Sequence, residues 1–290
     1  MPRIEARRRL ADLAGRALIV VLAAAALAPL FHLAATVTVN GVEAIVRSGA
    51  GFFTEPPDPT DPAHPGGIGP ALWGTAMLVT LSTLFAVALA IPAGVFIAEF
   101  RRAGISRATL LLTLVLMEFP TVLVGLTVYA TVVRAFRSLG VNQYGYSMLA
   151  GAVALALVVL PYMAVQASEA LRHVPRELRE AAFSLGASRL KTVYRVVLGI
   201  ARRGIVVGVL IGVAKAAGET APLLFTVGGF FNTYPGLLDP GGSVSLLIYE
   251  YAWQAQEGYH VLAWGAALVL MTIVAGLMLA ARLLVREVRL

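Results

Sequence analysis

The chain has 290 residues, 59% hydrophobic and 13% charged, with a mean hydropathy of +0.82, where a soluble domain carries about 25% charged residues. This balance excludes an ordinary soluble domain and fits an integral membrane protein long enough for one bundle. Cysteine is absent, which excludes disulfides and thiolate-bound metals, and the net charge of +7 leaves nucleic acid or a membrane as its reason.

A spanning helix needs about 20 mostly apolar residues. Six stretches qualify: 17–39, 71–98, 109–133, 148–167, 204–228 and 260–285. The first exceeds a signal-peptide core and no A-x-A-like site follows it, so a retained helix is expected. His32, alone within it, reads as a packed residue without a role. Between the first two runs, "FFTEPPDPTDPAHPGG" (Phe52–Gly67) has the prolines and glycines of a turn-rich connector, or of a docking surface for an external partner.

Lys and Arg favour cytoplasmic loops. With the N-terminus inside, the cytoplasmic segments carry five (Arg3, Arg7, Arg8, Arg9, Arg16), three (Arg101, Arg102, Arg107), eight (Arg172 to Arg203) and three (Arg282, Arg286, Arg289), while the external loops carry only Arg47, Arg134 and Arg137. Both termini are therefore expected in the cytoplasm, and the basic balance is a topology signal rather than a nucleic-acid one. Arg134 and Arg137, at the external mouth, read as interfacial anchors or as attractors of anions.

Within the long cytoplasmic segment, Pro175 suits the start of a short helix. Leu178, Ala181, Ala182 and Leu185 follow at i, i+3, i+4 and i+7, an apolar stripe on an amphipathic helix. Gly186 is placed to end it. Such a helix could lie on the membrane, pack on its own bundle or meet another protein. Lys191-Thr192 follows Leu190 where a phosphate loop requires Gly, so ATP hydrolysis by that route is not expected.

The same segment carries a resemblance. "EAAFSLG", nine residues and "VVLG" resemble the EAA loop of ABC importer permeases: Glu180, Ala181, Ala182 and Gly186 match, Val196 and Leu198 fill the apolar positions, and Gly199 replaces the usual Pro. "GGIGPALWGT" (Gly66–Thr75), "FPTVLVGLTVY" (Phe119–Tyr129), "GETAPLLFT" (Gly218–Thr226) and "LAWGAALVL" (Leu262–Leu270) are similar, in order, to the PstA-type permease subunits of bacterial phosphate ABC transporters. Relatives often have Arg where this chain has Lys215, and many carry a basic and acidic run where this chain reads "VQASEA" (Val165–Ala170).

The resemblance implies an all-α membrane protein with the type I importer permease (MetI-like) fold and six transmembrane helices. Residues 1–70 would hold the tail, first helix and external loop; 71–285 the core, with the coupling loop at about 168–203; and 286–290 a cytoplasmic tail. It implies a passive half of a phosphate pathway in the bacterial inner membrane. The partners would be a PstC-type permease, two PstB-type ATPases that hold the ATP and Mg, and a PstS-type external phosphate-binding protein. No catalytic residue or cofactor is expected in this chain. Glu180, Ala181, Ala182 and Gly186 would dock on the ATPase, with Arg179 as a polar contact.

Lys215 and Glu219 lie inside an apolar run, where each charge costs about 2.5–3.5 kcal/mol on insertion scales. Four apart on a helix, they can reach one another, with Thr220 alongside, Gly218 permitting close helix contact and Pro222 kinking the chain. They form either a neutralising pair that holds the bundle or the polar lining of an anion path. The resemblance places Glu118, Pro120 and Thr121 at a broken helix beside that path, with Glu118 read as a buried acid paired to a basic residue of this chain or of the partner subunit, the Thr121 hydroxyl able to meet an anion. The alternatives are a permease for another oxyanion or small solute, and a proton-coupled secondary transporter using Glu118, Lys215 and Glu219.

Overall fold

The computed structural model describes residues 2–61, 64–100 and 104–286, with side chains for 12–61, 64–100 and 104–284. Arg101, Arg102 and Arg289, and the side chains of Arg3, Arg7, Arg8, Arg9 and Arg286, used above for orientation, lie outside the described residues, as do residues 62–63 of the external loop.

Among the described residues there are five long apolar helices: α1 (Pro2–Ser48), α2 (Gly69–Glu99), α6 (Met148–Arg172), the rod formed by α8 (Arg189–Thr192), a π-turn (Val193–Val197) and α9 (Leu198–Gly218), and α11 (Glu257–Arg286). A sixth element is broken. α3 (Gly104–Met117) and the run of α4 (Thr121–Val128), a π-turn (Tyr129–Val133) and α5 (Arg134–Ser138) meet at 97°. The bend sits at "Glu118-Phe119-Pro120": proline cannot donate to the preceding turn and pushes Phe119 out of helical backbone. Pro120 then becomes the residue capping α4.

α6 is the centre of the bundle. Its middle and inner halves pack through alanines, with Ala86 and Ala90 of α2 against Ala156, Ala164 and Met163, and Ala98 against Ala167 and Leu171. On its other side α9 presents Gly204, Gly208 and Gly212, where a Cβ would crowd Ala170, Gln166 and Met163. Small residues every fourth position let the two backbones approach, which is how helices associate in lipid. α1 is exposed over most of its length and packs alongside α11 near its end, with Gly41 against Leu268 and Trp264.

The apolar run 204–228 is not one helix. α9 stops at Gly218, and Glu219 is extended at φ −74°, ψ 134°. A further helical turn would set the Pro222 ring against the Gly218 carbonyl. The chain instead forms a turn, with Leu223 and Leu224 both donating to the Thr220 carbonyl. It then crosses the end of the bundle at which α6 starts, where Ser147, Met148 and Leu149 donate to the carbonyls of Thr226, Asp239 and Leu237. α10 (Val244–Tyr251) follows, its first amide accepted by the Thr75 hydroxyl at 2.8 Å. The Pro/Gly-rich connector is folded against this same end: Phe52 is fully buried, Ile68 donates to its carbonyl, and Tyr234 donates to Thr54 at 2.5 Å.

Candidate functional site

Two polar assemblies stand out. The first lies at the broken helix. Lys215 is in the last turn of α9, where the helix dipole favours a cation. Its Nζ is 3.1 Å from Glu219 Oε1, and the two side chains are 31% and 14% exposed. The pair forms although Glu219 is no longer helical, because the extended residue swings its carboxylate back beside the last turn. The Glu219 carbonyl, released from the helix, accepts from the Ser245 hydroxyl at 2.8 Å.

Lys215 Nζ also stands 4.7 Å from the Tyr162 ring centroid, an arrangement in which the ring face supports the ammonium. The Tyr162 hydroxyl donates to the Met117 carbonyl at 3.0 Å. Tyr162 therefore ties the Lys215 pair to the point at which α3 ends. On the far side, Gly125 of α4 sits directly against Pro222. The second helix break, at 219–222, is thus packed against α4, the helix that follows the first break.

Thr121 opens α4 and makes no hydrogen bond through its hydroxyl within the described residues. Thr220 is half-buried beside Glu219, its carbonyl closing the turn. Glu118 departs from expectation: it is exposed in this chain and has no basic partner among the described residues, because it falls in the break rather than within a packed helix. Among the described residues no group of three or more His, Asp or Glu side chains could hold a metal.

The second assembly lies at the end of the bundle where α2 and α6 finish. α7 (Arg176–Ser184) follows Pro175 and ends at Leu185, with Gly186 at φ +77°, a conformation glycine adopts without strain. The expected stripe is divided. Ala182 faces the bundle, whereas Ala181, Leu178 (42% exposed) and Leu185 (89%) face out with Phe183, Leu190 and Tyr194. A helix lying across the bundle end buries one residue per turn and leaves the rest for a partner. Glu180 is exposed at the same surface.

Arg179, expected to reach outward, is turned into the chain. Its guanidinium donates to Glu99 Oε1 at 2.9 Å, to the Leu171 carbonyl at 2.9 Å and to the Val174 carbonyl at 2.6 Å. Arg189 donates to the Glu99 carbonyl and lies over the Phe100 ring. The ends of α2 and α6 and the starts of α7 and α8 are thereby fastened together. Sequence reasoning missed both Tyr162 and Glu99. A polar tip within an apolar span marks the first, and an acid closing an apolar run marks the second.

Residues 90–290 match the family described as binding-protein-dependent transport system inner membrane component. A protein of Methanocaldococcus jannaschii described as a probable phosphate transport system permease protein PstA is 42% identical over 249 residues, 86% of this chain and 84% of that one. The phosphate transport system permease protein PstA of Pasteurella multocida is 34% identical over 207 residues, 71% of each chain. Among solved structures, a chain of the MetNI methionine ABC transporter in an inward-facing conformation superposes with a TM-score of 0.61 over 77% of this chain and 96% of that one. At 19% identity it shows the fold alone, that of a type I importer permease.

Proposed function

Because the chain belongs to the family of binding-protein-dependent transport system inner membrane components, we propose that it is the multi-pass permease subunit of an ATP-driven importer of inorganic phosphate. The observation that carries this reading is the 42% identity to a PstA-described protein along 86% of the chain. The chain is one wall of the path and performs no hydrolysis itself. A PstC-type permease would supply the other wall, two PstB-type ATPases the ATP and Mg, and a PstS-type protein would deliver phosphate from outside. In a bacterium the complex would sit in the inner membrane.

The geometry supports this division. The exposed residues of α7, with Glu180, Ala181 and Gly186 in its loop, suit insertion into a groove of an ATPase. Arg179 and Glu99 would fix that helix to the ends of α2 and α6, so that displacement of α7 moves the spans. In the membrane, Lys215 would meet the anion. Glu219 would neutralise the lysine when the path is empty, which prevents a permanent phosphate trap, and a lysine point charge holds an oxyanion less tightly than an arginine fork. Thr121, Thr220 and the free amides opening α4 are further donors near the broken helix, while Glu118, exposed in this chain, would pair across to the second permease.

Phosphate uptake at micromolar concentration, in cells lacking the gene and with it restored, tests the reading. Restored uptake that needs ATP and resists sulfate and molybdate is expected. Competition by either anion would point to a permease for another oxyanion. Uptake that survives ATP depletion but collapses with the proton gradient would overturn the ATP-driven reading.

A further inference from the structure

At the end of the bundle opposite α7 lies a recess of about 380 Å³ lined by Tyr129, Val133, Arg134, Arg137, Ser138 and Tyr144. It is a built feature. Asn142 holds its far wall, donating to the carbonyls of Tyr146 and Leu238 and accepting from the amides of Tyr144 and Gly145. Gly145, at φ +79°, lets that wall close on the π-turn, where any side chain would collide with the Val133 carbonyl. Tyr144 is braced by Phe230, with ring centroids 5.8 Å apart.

Arg134 and Arg137 are exposed and have no acidic partner among the described residues, unlike Arg47, Arg172 and Arg179, each of which meets a carboxylate. Two arginines and two tyrosines thus line the recess with no acidic side chain among its lining residues. Arg134 also continues a polar face. Thr127, Thr131, Arg134 and Ser138 recur at i, i+4, i+7 and i+11, all exposed, on the run that leads from the broken helix to this recess.

We propose that this recess is an oxyanion site at the outer mouth, which receives a free phosphate ion before it passes along the threonine face to Lys215. The proposal rests on the phosphate-importer reading. Guanidinium pairs match tetrahedral oxyanions through parallel N–H donors, and exposure of both arginines keeps the hold weak enough for onward transfer. Anchoring of two arginines at the interface needs no recess with a stapled wall. A phospholipid headgroup offers the same phosphate oxygens, and acidic side chains of an external binding protein offer a different partner; the test separates them.

The assembled complex is reconstituted with its binding protein, and Arg134→Gln/Arg137→Gln is compared with Arg134→Lys/Arg137→Lys and wild type. At saturating binding protein the glutamine pair is expected to lower the maximal uptake rate by about tenfold. It should weaken radiolabelled phosphate binding to the complex in phosphate-free, non-phospholipid detergent, and leave the half-saturating binding-protein concentration unchanged. The lysine pair should restore most of the rate, and intact basal ATP hydrolysis in both variants shows that they are folded. A raised half-saturating binding-protein concentration with unchanged maximal rate would make the recess a protein-docking surface and overturn the proposal. Loss of co-purifying phospholipid with unchanged phosphate binding would assign it to lipid and overturn it as well. Wild type separates the two levels: if the unaltered complex moves no phosphate, both readings fail, whereas equal rates for wild type and the glutamine pair sink the recess alone.

Discussion

Lys215–Glu219 and Arg179–Glu99 are both ion pairs shielded from water, yet they are built in opposite ways. The first joins neighbours in sequence through a single 3.1 Å contact by an ammonium that also rests on a ring face. The second joins residues from different elements, through a guanidinium that spends its fork on one carboxylate and two helix-end carbonyls. A lysine held at one point can be drawn off by a passing anion. An arginine held at three points cannot leave without stranding all of them. One pair is suited to exchange partners and the other to bear load, and the difference comes from donor geometry rather than from burial.

Breaking the load-bearing pair should have the largest effect. Arg179→Ala leaves Glu99 and two carbonyls without a donor, and loss of one partner of a buried pair costs about 3–5 kcal/mol. The thermal midpoint of the purified complex should fall and the ATPase should cease to co-purify; Arg179→Lys should recover only part of either, since the fork is lost. If Arg179→Ala changes neither readout, the strut is not one. Next comes the glycine seam between α9 and α6. Gly208→Leu forces a side chain into Gln166, with an overpacking cost of about 1–3 kcal/mol, and should reduce the yield of folded protein in detergent.

The exchanging pair should behave differently. Lys215→Ala should cut phosphate uptake by about tenfold or more, equivalent to about 1.4 kcal/mol at the barrier, while ATPase co-purification stays normal. An unchanged rate and Michaelis constant would remove Lys215 from the path. Tyr162→Phe deletes the hydrogen bond to Met117 but keeps the ring, so a loss of about 1 kcal/mol of stability is expected with little change in uptake rate.

The smallest effect concerns pH. Glu250 lies on α10, outside the candidate spans, with its carboxylate against Gly229. Burial pushes its carboxyl up to about 7 from the usual 4.5. The folded chain therefore keeps a proton that the unfolded chain releases, and the contribution to stability is full below pH 4.5 and lost as pH rises through about 7. The thermal midpoint of the complex should rise on going from pH 8 to pH 6, and Glu250→Gln should flatten that slope without affecting the two ion pairs.

Much of this was legible in the sequence, because hydropathy over some twenty residues is a local property. The apolar runs marked six spans, of which five are long helices; the break in the run 109–133 came from the resemblance alone, and "EAAFSLG" marked α7 down to the left-handed Gly186. The run 204–228 misled, since it is apolar throughout while the helix ends at Gly218. What ends it is Pro222, with Ser245, 26 residues away, receiving the freed carbonyl. Tyr162 and Glu99 were invisible for the same reason: their partners, Met117 and Arg179, lie 45 and 80 residues off, and no periodicity links them. Arg179, which the resemblance makes a polar contact of the ATPase, turns inward instead because three acceptors of its own chain meet it.

The glycine seam turns the rod from Arg189 to Gly218 into a lever. The three glycines that meet α6 are centred on Gly208, so at 1.5 Å per residue the arm to Arg189 is about 28 Å and the arm to Lys215 about 10 Å. A swing of about 6 Å at the cytoplasmic foot would arrive at the lysine as about 2 Å. Such a reduction trades distance for force. The coarse stroke of an ATPase would become, beside the ring of Tyr162, a displacement on the scale of one hydrogen bond.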